Sequence, residues 1–255
     1  MKTYRWAFIC LVIFTSSVFG QHLLLGGFGV NGLIINSNDL ERFTSTYNSV
    51  NVASLTSPFK GLNDAFGIGF TAGYWHLRKY NSAILFGYQS FNDKNAAQFA
   101  NGENRKLELK INHFYVEGQA GRSWDNLIFN GLVSVYLNRQ ISLESSYLEP
   151  GGQQIPKTLD GTYSATHPFS IDLGVAFGVY RAPLVLMGRL SYPIYINTDT
   201  EVLTDSNPTK VQDGTHIFPD DYFAYTNGTP YDGVSSKIDG LKISLTVYFA
   251  FQIKP

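Results

Sequence analysis

Eight segments with a two-residue apolar period are joined by connections that alternate long and short. Residues 37–65, 92–104, 145–168 and 198–237 make the long ones. Lys79-Tyr80-Asn81, Ser123-Trp124-Asp125-Asn126 and Arg181-Ala182-Pro183 mark the short ones. A strand places residues i and i+2 on one face, so each segment has two distinct faces. Leu24, Phe28, Val30 and Ile34 oppose Gly27, Gly29 and Asn31 in the first. Phe66 to Tyr74 alternates large apolar residues with Gly and Thr, and Ile84 and Phe86 set the apolar face of the third. Leu107, Leu109 and Ile111 alternate with Lys106, Glu108 and Lys110. Leu127 to Leu137, Ile171 to Val179, Leu184 to Ile194 and Leu241 to Phe251 supply the other four. A water-soluble sandwich has no reason to sort its loops by parity.

An up-and-down barrel that crosses a bilayer does sort them, with short turns on the periplasmic side and long loops outside. The expected fold is all-β: an eight-stranded antiparallel up-and-down transmembrane β-barrel with short periplasmic turns and long extracellular loops. Lipid requires an apolar outer face, and a barrel of this size fills its interior with side chains. Lys106, Glu108, Lys110, Asp172, Arg189 and Lys242 are therefore expected to form a polar network in the lumen, with opposite charges satisfying one another. Tyr74, Trp75, Tyr80 and Trp124 lie near the short turns, where an aromatic girdle belongs. A soluble lipocalin-type barrel is the rival, with the two faces exchanged.

Composition agrees. Charged residues are 15% of the chain against about 25% in soluble domains. The balance of 19 basic and 20 acidic residues does not suggest nucleic acid as a partner. At the N-terminus Lys2 and Arg5 precede an apolar run from Trp6 to Phe14, then Ser16, Ser17 and Gly20. This is the layout of a secretory signal peptide over residues 1–20, leaving 21–255 as the barrel domain of an exported protein. Loss of Lys2 and Arg5 takes the net charge from −1 to −3, and loss of Cys10 leaves no cysteine. No set of residues asks for a cofactor or a structural metal.

The leader, the eight alternating segments, the long outer loops and the alternation from Leu241 to Phe251 resemble small outer-membrane β-barrel proteins. The likeness is to uncharacterised eight-stranded barrels of Bacteroidota, in the OmpX and OmpA-barrel size class. The resemblance implies a place in the bacterial outer membrane, surrounded by its lipid. It also implies insertion by the barrel-assembly machinery, with the last strand as the recognition signal.

Chemistry is scarce. Gly27-Phe28-Gly29-Val30-Asn31-Gly32 matches a dinucleotide fingerprint but lacks the following helix, so its glycines are read as making space inside a strand. None of His22, His76, His113, His167 and His216 has Ser two positions later, the spacing that lets one strand face carry a His–Ser catalytic pair. His167 and Ser170, three apart, point to opposite faces of a regular strand. The segment from Ser37 to Tyr47 is expected to form a short helix on the barrel mouth, capped by Asn38 or Asp39, with Leu40, Phe43 and Tyr47 on one side.

The last long loop is unusual. Residues 198–239 hold eight acids against two lysines. His216, Phe218, Asp220, Asp221, Tyr222, Phe223, Tyr225 and Tyr231 give it an acidic, aromatic surface for a partner. Calcium, a carbohydrate and an acidic catalytic pair are the sharper readings, and a solvated loop is the plainer one. The expected function is therefore non-enzymatic: a barrel presenting loops for binding, or a subunit of an envelope complex in secretion, assembly or adhesion. A narrow pore and a lipid-modifying enzyme are the alternatives.

Overall fold

The computed structural model describes residues 21–155, 157, 159–198, 202–205 and 234–253. Residues 1–20, where a leader is expected, and loop residues 206–233 fall outside them. The elements run β1 (Gln21–Asn36), α1 (Asn38–Val50), β2 (Leu55–Ser57), β3 (Asp64–Leu77), β4 (Tyr80–Phe99) and β5 (Asn104–Trp124). Then come β6 (Leu127–Leu148), β7 (Gly161–Arg181), β8 (Leu184–Ile196), β9 (Thr204–Asp205) and β10 (Asp239–Ile253). One antiparallel sheet contains every strand, and it closes on itself. Each of β3 to β8 pairs with its neighbour in the chain, β8 pairs with β10, β10 with β1, and β1 with β3. The two short strands hang on this ring, β2 on β4 and β9 on β7. Closure leaves the long strands without a free edge.

At one end the strands turn tightly, through Arg78-Lys79, Asp125-Asn126 and Ala182-Pro183. Asp125 takes φ 51, a backbone state that Asp and Asn tolerate. The other end is uneven. β4, β5, β6 and β7 have 20 to 22 residues, while β1, β3, β8 and β10 have 13 to 16. Four adjacent strands therefore stand above the rim of the others as a curved wall.

The outer face changes character along one registered row. Below it, toward the tight turns, the outward residues of β6 are Leu127, Phe129, Gly131, Val133, Val135 and Leu137. Above it they are Gln140, Ser142, Glu144 and Ser146. The same switch falls between Tyr88 and Ser90 on β4, between Phe114 and Asn112 on β5, and between Phe169 and Thr166 on β7. The apolar members are mutual partners, Tyr88 to Phe114 to Leu137 to Phe169, and so are the polar ones, Ser90 to Asn112 to Gln140 to Thr166. From Leu127 to Leu137 is about 33 Å along the strand and about 25 Å along the barrel axis at a tilt of about 40°.

The inner face changes with it. Near the tight turns the core is apolar: Leu23, Leu25, Trp75, Leu85, Ile128 and Met187. Above the boundary row it is apolar again, with Phe91, Leu107, Leu109, Ile111, Ile141 and Leu143. Polar side chains fill the layer between. Trp75 belongs to the inner core and is fully buried, so it is not part of a lipid-facing girdle. Tyr80 and Trp124 are exposed near the tight turns, with the Arg122 guanidinium beside both rings.

α1 closes the mouth against the wall. Ser37, one residue before the expected caps, accepts the N–H of Leu40 at 3.4 Å. Leu40, Phe43, Thr44 and Tyr47 are buried, and Tyr47 packs on Phe59 with ring centroids 5.1 Å apart. Asn48 holds the following segment by both amide atoms, donating to the Phe59 carbonyl and accepting its N–H. Phe43→Ala removes the largest of these helix anchors apart from Tyr47, at a cost of about 3–5 kcal/mol. Hydrogen exchange is expected to rise across 38–50 while β10 stays protected. Equal loss of protection in β10 would show that α1 is part of the barrel's folding unit and not a docked cap.

Candidate functional site

The middle layer of the lumen is built by inward residues of all eight ring strands, with Asn31 coming from β1. Tyr115, Glu117 and Gln119 come from β5, Asn130, Ser134 and Tyr136 from β6, Asp172 from β7, and Arg189 from β8. Ser244, Thr246 and Lys242 come from β10, with Thr71 from β3 and Gln89 from β4. Glycine makes this crowding possible. A Cβ on Gly87 would stand 2.6 Å from the Tyr115 ring, and one on Gly69 would stand 2.9 Å from the Asn31 amide.

Two ion pairs anchor the layer. The Glu117 carboxylate takes Gln119 at 2.6 Å, Ser134 at 2.8 Å and Arg189 at 3.5 Å. Arg189 also donates to the Tyr115 hydroxyl at 3.0 Å and to Thr246 at 3.1 Å. Higher in the barrel Lys242 donates to Asp172 at 2.8 Å and lies 3.7 Å from the centroid of the Tyr136 ring. His113, Gln89 and Asn31 form a chain beside it, His113 to Gln89 at 3.0 Å and Gln89 to Asn31 at 3.1 Å. Isolated charges in such a place are costly, and here each carboxylate has a cation and hydroxyl or amide donors.

Asp172, Arg189 and Lys242 thus point into the lumen. Lys106, Glu108 and Lys110 do not: they stand on the outer face of β5, because odd-numbered residues of that strand face inward over its whole length. Above the boundary row the charged face is the outer one, and Leu107, Leu109 and Ile111 fill the inside. There Glu108 bridges Lys94 and Lys110, both at 3.2 Å, and Lys110 reaches Glu144 at 3.0 Å. Burial works to raise the Glu108 carboxyl, but Lys94, Lys110 and Asn92 outweigh it and hold it below its ordinary value. The hydrogen bond to Glu144 raises Lys110.

The inward groups without an expected role are Glu117, Arg139, His113, Arg105 and Asp160. Arg139 donates to the carbonyl of Ile238. Its position inside depends on Asn138, whose φ of 48 inserts one extra residue into β6 opposite His113 and reverses the parity of that strand. β7 reverses too, so that His167 and Ser170 are both buried inside rather than on opposite faces. No hydrogen bond joins them. Among the described residues no group of three or more His, Cys, Asp or Glu is placed to hold a metal.

At the mouth, Arg105 pairs with Asp160, donates to Ser145 at 3.1 Å and lies 5.0 Å from the centroid of Tyr147. Lys157 lies 5.3 Å from the same ring. Tyr147 donates to Glu103 at 2.6 Å. Together with Tyr47, Asn51 and Phe99, Arg105, Tyr147 and Lys157 line a cavity of about 190 Å³ open to the outside.

No family model and no curated protein matches the sequence. Among solved structures the chain is similar to Ail, the attachment invasion locus protein of Yersinia pestis, in complex with the heparin analogue sucrose octasulfate. That likeness has 7% identity over 92% of this chain and 100% of that one, with a TM-score of 0.40. It is also similar to the outer membrane protease OmpT from Escherichia coli, with 11% identity over 94% and 100% of the two chains and a TM-score of 0.42.

The acidic, aromatic loop surface expected at His216, Phe218, Asp220, Asp221, Tyr222, Phe223, Tyr225 and Tyr231 lies outside the described residues. Its two ends are described. Asp39, in the first turn of α1, accepts the N–H of Ser235 at 2.9 Å, and Val202 bridges Ser235. The loop therefore leaves and re-enters the fold beside α1, at the mouth.

Proposed function

We propose that the chain is an outer-membrane barrel, exported by a leader over residues 1–20, whose eight long strands cross the membrane with the tight turns in the periplasm. It works without catalysis, presenting its wall, α1 and the long loops outside the cell to a partner, as an adhesion surface or a subunit of an envelope complex. One observation carries this reading: the outer face turns from apolar to polar along a single row of paired residues on four strands, about 25 Å above the tight turns. A barrel in water has no use for such a row. A membrane protein needs it at the lipid boundary. The filled lumen argues for a plugged scaffold over a conducting pore, and the lack of a histidine with Ser two positions later argues against lipid modification.

Deletion of residues 206–232 tests where the binding lies. The barrel is expected to keep its heat-modifiable migration, because the loop's ends are held by Asp39 and Val202 outside the strands. Partners co-purified from native outer membranes are expected to be lost. An unchanged set of partners would place the binding surface on the wall or on the Arg105–Tyr147 mouth instead.

A further inference from the structure

The outer face holds a groove that loop-mediated binding does not use. It crosses β3 to β6 at the boundary row and encloses about 410 Å³. Its lower side is aromatic: the Phe70 and Tyr88 rings lie 5.6 Å apart and nearly stacked, and Tyr88 and Phe114 lie 5.0 Å apart. Its upper side carries three amides, Asn112, Asn138 and Gln140, and the otherwise buried His113 completes the lining between them. The bulge creates this side. Asn112 pairs with Gln140 and Phe114 with Leu137, so Asn138 is an extra residue between them and turns its amide outward beside Gln140. None of the three amide side chains hydrogen-bonds to another described residue.

We propose that this groove binds a membrane glycolipid, with its sugar on the amides and the first stretch of an acyl chain on the rings. The inference rests on the reading that the apolar belt lies in a bilayer. Each amide offers both donors and an acceptor, which matches sugar hydroxyls, themselves donors and acceptors. A flat ring face suits the C–H face of a sugar and an alkyl chain equally. The rings continue into the apolar belt, so a bound chain runs straight into the hydrocarbon. A phosphate-headed lipid fits less well. The outward cation next to the groove is Lys110, one alternate position above Asn112, and Glu108 and Glu144 already engage it at 3.2 and 3.0 Å.

The test uses the full chain refolded into vesicles and then transferred to micelles for native mass spectrometry. The probes are lipid A, lipid A stripped of its phosphates, and phosphatidylglycerol. Wild type is expected to retain both forms of lipid A in preference to phosphatidylglycerol. The double variant N112A/Q140A is expected to lose at least fivefold of that retention, and Asn138→Gly, which keeps the backbone conformation without the amide, is expected to lose it too. Equal retention in wild type and both variants overturns the proposal. So does loss of binding on removal of the phosphates, or competition by phosphatidylglycerol at equal concentration. These outcomes leave the membrane reading standing, because it is read separately: a chain that folds in water and does not enter the vesicles overturns that reading, and this inference with it.

Discussion

Glu117→Ala is expected to destabilise the barrel by about 3–5 kcal/mol, the cost of leaving a buried cation without its partner. Glu117 and Arg189 are both within 6% of full burial at the side chain, so solvent screening does little to soften the loss. The carboxylate is also the acceptor for Gln119 and Ser134, and those donors lose their partner as well. The double variant Glu117→Gln with Arg189→Met should be much milder. It removes both charges, keeps an amide for Ser134 and fills the guanidinium's space with an apolar chain. Urea unfolding in vesicles, followed by tryptophan fluorescence and by heat-modifiability, measures both. A single variant no worse than the double would mean that water reaches Arg189. The lumen would then be wet, and planar-bilayer recording should find ion conductance that Arg189→Ala alters. With a dry lumen no such conductance is expected from the wild-type chain.

The alternation and the parity of the connections are enough to place most of the strands, the outward faces of β1, β6, β8 and β10, and the helix of the first long connection, though not its cap at Ser37. They were not enough for β5, and the reason is physical. Period two says only that the two faces differ, and which face is wet depends on where the strand stands relative to the bilayer. Read over 106–111 alone, β5 has charged residues on one face and leucines on the other, and a membrane strand would turn the charges inward. Read to 120, the even positions pass from Lys106, Glu108, Lys110 and Asn112 to Phe114, Val116, Gly118 and Ala120. The odd positions pass from Leu107, Leu109 and Ile111 to His113, Tyr115, Glu117 and Gln119. Both faces exchange character at 112–114, the exchange expected of one strand that runs out of a bilayer into water. Glu117 is legible by the same extension.

Arg139, His167 and Ser170 were hidden for another reason. A bulge at Asn138 shifts β6 by one residue, and only the left-handed backbone there reveals it. Asn is tolerated in that state, but an Asn before an Arg is no signal by itself. Trp75 is a third case. Aromatics near a turn suit a girdle and a plug alike, and the choice rests on parity with Ala83 and Leu85 across the β3–β4 hairpin, all three facing inward.

Val133→Arg decides between lipid and water around the belt. Val133 points outward near the middle of the apolar run of β6 and is 46% exposed. In a bilayer an arginine at that depth is expected to cost about 2–4 kcal/mol, falling to about 0–1 kcal/mol near the rims. The same change on a strand facing water costs about 0.5 kcal/mol or less. Glu144→Arg, on the outer face of the same strand above the boundary row, controls for strand identity and for added charge. It lengthens the positive run beside Lys110, breaks an exposed ion pair and should stay within about 1 kcal/mol. Folding yields and unfolding midpoints in vesicles separate the two. A large loss at 133 with little at 144 sets the lipid boundary between them, where Leu137 gives way to Gln140. Similar small losses at both positions would mean that the row of paired aromatics at Tyr88, Phe114, Leu137 and Phe169 meets water on both sides, and the soluble barrel would be the better description.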